Sequence, residues 1–100
     1  MSPKSHYPSA KKLRELIGSG KYGFESGRAP APPEEWKPWK RRALSRDIRA
    51  ACLFLRGKDY CQVRSIMGLS DDLTRQRILQ YVRRGSDFLL SRGWVKEREK

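Results

Sequence analysis

Thr74, Arg75, Gln76, Arg77, Gln80, Arg83 and Arg84 crowd into eleven residues of this 100-residue chain. They are donor-rich side chains. A guanidinium fork matches guanine O6 and N7, a Gln amide matches adenine N6 and N7, and all of them reach phosphate oxygens. A second cluster, Lys40-Arg41-Arg42, follows Trp36 and Trp39. Aromatic rings beside cations can grip a nucleic-acid backbone or a partner groove. Catalytic chemistry has no comparable set. His6 is the only histidine, and Cys52 and Cys61 lie nine residues apart without partnering histidines. That is not a zinc spacing. Asp71-Asp72 reads as helix-capping acids rather than a metal site. No phosphate-cradling glycine loop is present. The expectation is a non-enzyme with no metal, no cofactor and no small-molecule substrate.

The elements that must position these donors follow from periodicity. Asp59 and Gln62 have capping-box spacing, and Val63, Ile66 and Met67 recur at helical intervals behind them. Gly68 suits a chain reversal, because glycine reaches positive φ without steric cost. Leu69 can plug the joint, and Ser70, Asp71 and Asp72 favour the start of the next helix. That helix carries Ile78, Tyr81, Val82, Gly85 and Leu89 on one face and runs to about Ser91. Gly85 in mid-helix implies either a close helix approach or a kink. Upstream, Leu44, Ile48, Ala51, Cys52 and Leu55 line one face of a helix from Ser45 or Arg46 to Arg56, with Leu53 and Phe54 widening the stripe and Arg46, Arg49 and Arg56 toward solvent. The reading is all-α: a right-handed trihelical helix-turn-helix bundle over 44–95, without a sheet. Trp94 is expected to pack back on the core, ahead of a charged tail over 96–100.

Residues 1–43 read as an extended, basic, Pro/Gly-rich N-terminal arm. Met1 to Pro8 is expected to be disordered. A short helix over 9–17, capped by Ser9, shows Leu13, Leu16 and Ile17 on one edge. Two to three turns are marginal alone, so this helix docks on the C-terminal domain, folds on a partner, or frays. Gly18 to Pro33 holds three prolines in sixteen residues and reads as a linker unable to sustain a helix or a central strand. Tyr22 and Phe24 either pin it to the domain or stack on a base. Trp36 and Trp39 either cover the bundle or meet a partner. Lys40 to Arg42 is expected to track phosphates as a basic arm.

Lys and Arg number 23 against 11 acids, for a net charge of +12. Residues 1–43 and 44–100 carry +6 each. With a pI near 10.3, the chain suits a polyanionic partner. It has no apolar run long enough for a membrane span and no signal-peptide core. The expected location is cytoplasmic, on the nucleoid if the source is bacterial.

Leu73-Thr74-Arg75-Gln76-Arg77-Ile78-Leu79-Gln80 resembles the second half of the helix-turn-helix in sigma-70 region 4, whose pattern is roughly V-T-R-E-R-I-R-Q. Ser86-Asp87-Phe88-Leu89 continues it. Gln76 stands where that family has Glu, and Leu79 where it has Arg. The resemblance implies promoter-type DNA reading by Arg75, Gln76 and Arg77, with polymerase contact as a second property. The leading expectation is therefore a sequence-specific transcription regulator on double-stranded DNA. Thr74, Gln80, Arg83 and Arg84 would fix register on phosphates, with Lys40, Arg41 and Arg42 adding charge. The alternative is an RNA polymerase adaptor such as a phage-type antitermination factor, facing its partner with Trp36, Trp39, Leu13, Leu16 and Ile17. An RNA- or ribosome-associated protein and a phage packaging or recombination accessory protein are further options.

Overall fold

A computed structural model describes residues 8–25 and 27–98. The expected disordered start, with His6, falls mostly outside them, as do the last two residues of the charged tail. Among the described residues the order is α1 (Ala10–Gly18), β1 (Tyr22–Phe24), α2 (Pro38–Leu55), α3 (Tyr60–Met67), α4 (Arg75–Ser91) and β2 (Val95–Glu97). The protein is mostly helical, but it does contain a sheet.

That sheet overturns two expectations at once. β1 pairs antiparallel with β2, with Tyr22 opposite Glu97, Gly23 opposite Lys96 and Phe24 opposite Val95. The ladder is extended by Glu25 N–H to Trp94 O and by Arg98 N–H to Lys21 O, both 2.7 Å. Phe24 packs on Trp94 with ring centroids 5.4 Å apart. The segment read as a linker therefore closes onto the other end of the chain, and residues 8–25 and 27–43 do not form an extended arm. Tyr22 and Phe24 pin this segment to the core. Three-residue strands are too short to show a period in sequence; their pairing rests on the aromatic contact and on burial of Val95.

α1 starts one residue after its cap. Ser9 Oγ accepts from Lys12 N–H at 3.2 Å. The helix docks on its own domain: Leu13 is fully buried and Ala10 nearly so. Arg14 ties it down, donating to Gly57 O at 2.9 Å with its guanidinium 4.8 Å from the Phe54 ring. Leu13 is thus unavailable to a partner, while Leu16 and Ile17 are half-buried.

α2 begins at Pro38, not near Ser45, so the 43/44 boundary falls inside a helix. Proline suits the first helical position, where its missing N–H would be unbonded anyway. Lys40, Arg41 and Arg42 are consequently helical residues rather than a free basic arm. Leu44, Ile48, Ala51, Phe54 and Leu55 are buried against Ile78, Val82 and Leu89 of α4 in one continuous core. Gly85 permits this contact. A Cβ there would fall on the carbonyl oxygen of Asp47 and lie 2.8 Å from Ala51 Cβ. Of the two readings of Gly85, close approach is the one observed.

α3 carries the capping box read from sequence: Asp59 Oδ1 accepts from Gln62 N–H and Gln62 Oε1 from Asp59 N–H. Gly68 ends it with φ 69°. Only Val63 of this helix is fully buried, and Ile66, expected on the apolar face, is 46% exposed. Residues 68–74 then cross to α4, with Leu69 and Leu73 packed against the core.

Candidate nucleic-acid interface

α4 starts later than Ser70-Asp71-Asp72 suggested. Thr74 is the N-cap, its hydroxyl accepting from Arg77 N–H at 3.2 Å. Ser70 Oγ instead accepts from Asp72 N–H, closing the preceding turn. Arg64 donates to Leu73 O at 3.3 Å and holds that turn against α3. The Thr74 hydroxyl, expected on phosphate, is engaged in capping.

With about 100° between successive residues, Arg75, Gln76 and Arg77 cannot share one edge of α4. They spread over roughly half its circumference, all exposed. The residues that do align are Gln76, Leu79, Gln80 and Arg83, at i, i+3, i+4 and i+7. They line a shallow groove of about 330 Å³ on the outer face of α4. Arg75 lies at one margin, its guanidinium 5.6 Å from the Tyr60 ring. Arg77 and Arg84, seven residues apart, lie at the other. The site residues expected on this helix therefore form one open surface rather than one cluster.

The N-terminus of α1 abuts this surface without covering it. A cavity of about 480 Å³ separates the two, lined by Pro8, Ser9, Ala10 and Lys11 on one side and Tyr60, Leu79, Arg83 and Asp87 on the other. Leu79 and Arg83 border both spaces. Burial pushes the Asp87 carboxyl above its ordinary value, against the pull of Arg83. Leu79, Tyr60 and Lys11, which carry no donor role in the sequence pattern, also belong to this surface. The 75-79-83 spacing could have revealed Leu79. Nothing in the spacing brings Lys11 there, because the docking of α1 does so.

The first turn of α4 contains Arg75 and Arg77 and no acid; those of α1 and α2 are likewise basic and free of acids. Helix N-termini carry partial positive charge and ordinarily attract Asp or Glu, each worth about 0.3–1 kcal/mol. Cations there forgo that stabilisation.

Arg84 differs from its neighbours. Its Nε donates to Asp47 Oδ2 at 3.2 Å, while Arg46 reaches Asp47 Oδ1 at 3.3 Å. Arg46 lies over the Tyr81 ring at 3.9 Å, so it is not simply solvent-facing. Burial drives the Asp47 carboxyl above the usual aspartate value, opposed by Arg46 and Arg84. Arg84 thus helps join α4 to α2, though its side chain remains 56% exposed.

Trp36 and Trp39 take separate roles. Trp36 is half-buried with Lys40 Nζ 4.4 Å from its ring. Trp39 is 63% exposed. Both border a cavity of about 370 Å³ with Lys40, Ala43, Leu44, Asp47 and Arg84. Cys52 and Cys61 are free thiols, and burial raises the pKa of Cys52. No helix of the described residues is long and apolar enough to cross a membrane. No family model, curated protein or solved structure matches this chain.

Proposed function

We propose that this protein binds double-stranded DNA and regulates transcription, with α4 entering the major groove. In this reading α2, α3 and α4 are a trihelical helix-turn-helix unit of the sigma-70 region 4 type, and α3, the 68–74 turn and α4 are the DNA-reading part. It is a binding protein rather than an enzyme, acting in the cytoplasm, on the nucleoid if the source is bacterial. The observation that carries the proposal is the outer face of α4. Gln76, Gln80 and Arg83 are aligned and exposed, and Arg75 and Arg77 flank them beside an acid-free helix start. A major groove about 12 Å wide admits such a helix, and Gln and Arg are the side chains that pair with adenine and guanine edges. Arg77, Arg84 and the helix ends supply phosphate contacts that set register.

The test is selection of preferred duplexes from a random pool, followed by titration of each variant at several salt concentrations. Wild-type binding should weaken steeply with salt, by about 0.9 in log–log slope for each phosphate contact. Gln76→Ala/Gln80→Ala should change which bases are enriched, and Arg75→Ala should relax the preference at a cost of about 1–3 kcal/mol. Arg84→Ala should weaken all duplexes alike. Enrichment identical to wild type in the double variant would defeat the assignment.

A second reading is favoured by Trp39 alone. An indole 63% exposed at the rim of an aromatic-lined cavity fits a protein partner better than a solvated surface. An RNA polymerase adaptor would use it. Co-purification with polymerase that survives nuclease and is lost in Trp39→Ala supports that reading.

A further inference from the structure

α2 and its C-cap carry a line of charge that the proposed α4 interface does not use; of its members Arg56 alone packs on an aromatic ring, 5.3 Å from that of Phe24. Arg42, Arg49 and Arg56 recur every seven residues, and all three are exposed. At 1.5 Å per residue they form a line of about 21 Å. A duplex presents about a dozen phosphate charges over that length. Asp47 is the only acid in α2 and is buried against α4, so nothing on this helix neutralises the line. Like charges three and four residues apart oppose helix formation by about 0.2–0.5 kcal/mol per pair. Arg42 and Arg49 each stand at such a spacing from Arg46.

The line points away from α4. Asp47 and Ala51 are the α2 residues that close on Gly85. Arg49 stands two residues from each, about 200° around the helix. On α4, Arg83 stands two residues from Gly85, again about 200° away. The two helices therefore pack back to back, and their polar faces look in opposite directions. Axes about 8–10 Å apart, plus the radii of both helices, separate the faces by roughly 20 Å. A duplex with a persistence length of about 50 nm does not fold around so thin a body to touch both.

We propose that the outer face of α2 is a second duplex-binding surface, so that one molecule bridges two DNA segments. This rests on the reading of α4 as the first surface. An acidic protein is the less suitable occupant. Protein interfaces centre on an apolar patch, whereas the α2 line consists of evenly spaced point charges.

The experiment uses the full chain, a 40-bp duplex fixed to beads and a labelled second duplex in solution. Binding of a single trace duplex is followed in parallel by anisotropy. Wild type should carry the second duplex to the beads. Arg42→Gln/Arg49→Gln/Arg56→Gln should reduce that capture by about tenfold or more, and flatten its log–log salt dependence by about 2.7. Single-duplex affinity should change by less than about threefold, since α4 is intact. Arg42→Gln/Arg49→Gln, which leaves the Arg56 contact with Phe24 in place, should give an intermediate loss and guards against a folding defect. Capture that survives the triple substitution overturns the proposal, because self-association would then account for it. So does wild-type binding of one duplex without a second, or binding of poly-glutamate in place of the second duplex. Failure of the α4 reading looks different: Gln76→Ala/Gln80→Ala/Arg83→Gln would hold the single duplex as wild type does.

Discussion

On the inner face of α4, Ile78, Val82, Gly85 and Leu89 are buried against α2; on its outer face, Gln76, Gln80 and Arg83 stand in solvent. The inner face tolerates almost no change of shape, because a missing Cβ at Gly85 sets the helix separation. The outer face tolerates almost any shape, and only its chemistry matters. Arginine appears in both settings with different consequences. Arg84 is tethered to buried Asp47 and belongs partly to the fold, whereas Arg83, one residue earlier, points outward. Stability and binding are therefore expected to separate along a single helix.

The largest effect should come from Gly85→Val. Its Cβ alone would collide with the backbone of Asp47, and backbone cannot rotate aside as a side chain can. Overpacking usually costs about 1–3 kcal/mol, and a clash with main chain belongs at or above the upper end, about 3 kcal/mol. Replacing glycine inside a helix would recover only about 0.5 kcal/mol through propensity. Urea unfolding should show a midpoint shifted strongly downward. An unchanged midpoint would mean that α2 and α4 do not meet as described.

The next effect lies on the outer face and should be invisible to unfolding. Arg83→Ala should alter stability by no more than about 0.5 kcal/mol, as surface substitutions usually do. Its duplex affinity should fall by about 1–2 kcal/mol, within the range for a lost DNA contact. Equal losses in both measurements would show that the two faces are not independent.

The contrast also explains which parts of the molecule were legible in the sequence. The inner face repeats its apolar residues over about three turns of α4, from Ile78 to Leu89, and Asp59 with Gln62 marks the start of α3 unambiguously. Gly68 and the capping role of Ser9 follow equally from local chemistry. β1 and β2 do not, because they are three-residue strands some seventy positions apart, paired through a backbone ladder and the Phe24–Trp94 contact that leave no local signal. α2 starts at Pro38, a residue suited to a first helical position, but the cationic run 40–42 reads as an arm when charge is weighed above capping. Ser70, Asp71 and Thr74 are all competent caps. The half-buried Leu73 and the Arg64 bond to its carbonyl decide for Thr74. The donor types on α4 were evident, but their grouping was not. Gln76, Gln80 and Arg83 align only once the helix start and the docking of α1 are fixed.

A smaller effect concerns the tether between the two helices. Because burial raises the Asp47 carboxyl above the 3.8 of an ordinary aspartate, the folded protein holds this proton more tightly than the unfolded chain. As pH rises from 3.8 through the native value, the unfolded state releases its proton first, and stability from this group declines. Asp47→Asn has no proton to lose. The stability of the variant relative to wild type should therefore improve as pH increases from 4 toward 7. The opposite trend would mean that the bonds from Arg46 and Arg84 outweigh desolvation.

The smallest effect is expected at a polar residue on the inner face itself. Ser86 is fully buried, which would ordinarily suggest a bond across to α2. Its Oγ instead donates to Val82 O of the preceding turn at 2.8 Å, so its hydrogen bond stays within α4. That carbonyl is also positioned for the backbone bond of the same turn, and alanine would leave that bond intact. Serine of this kind slightly destabilises a helix. Alanine has the higher propensity and removes no partner from α2. Ser86→Ala should consequently unfold within about 0.5 kcal/mol of wild type, with any difference favouring alanine. A loss above about 1 kcal/mol would indicate that the hydroxyl reaches α2 after all. The inner face would then owe its specificity to a polar contact as well as to the space left by Gly85.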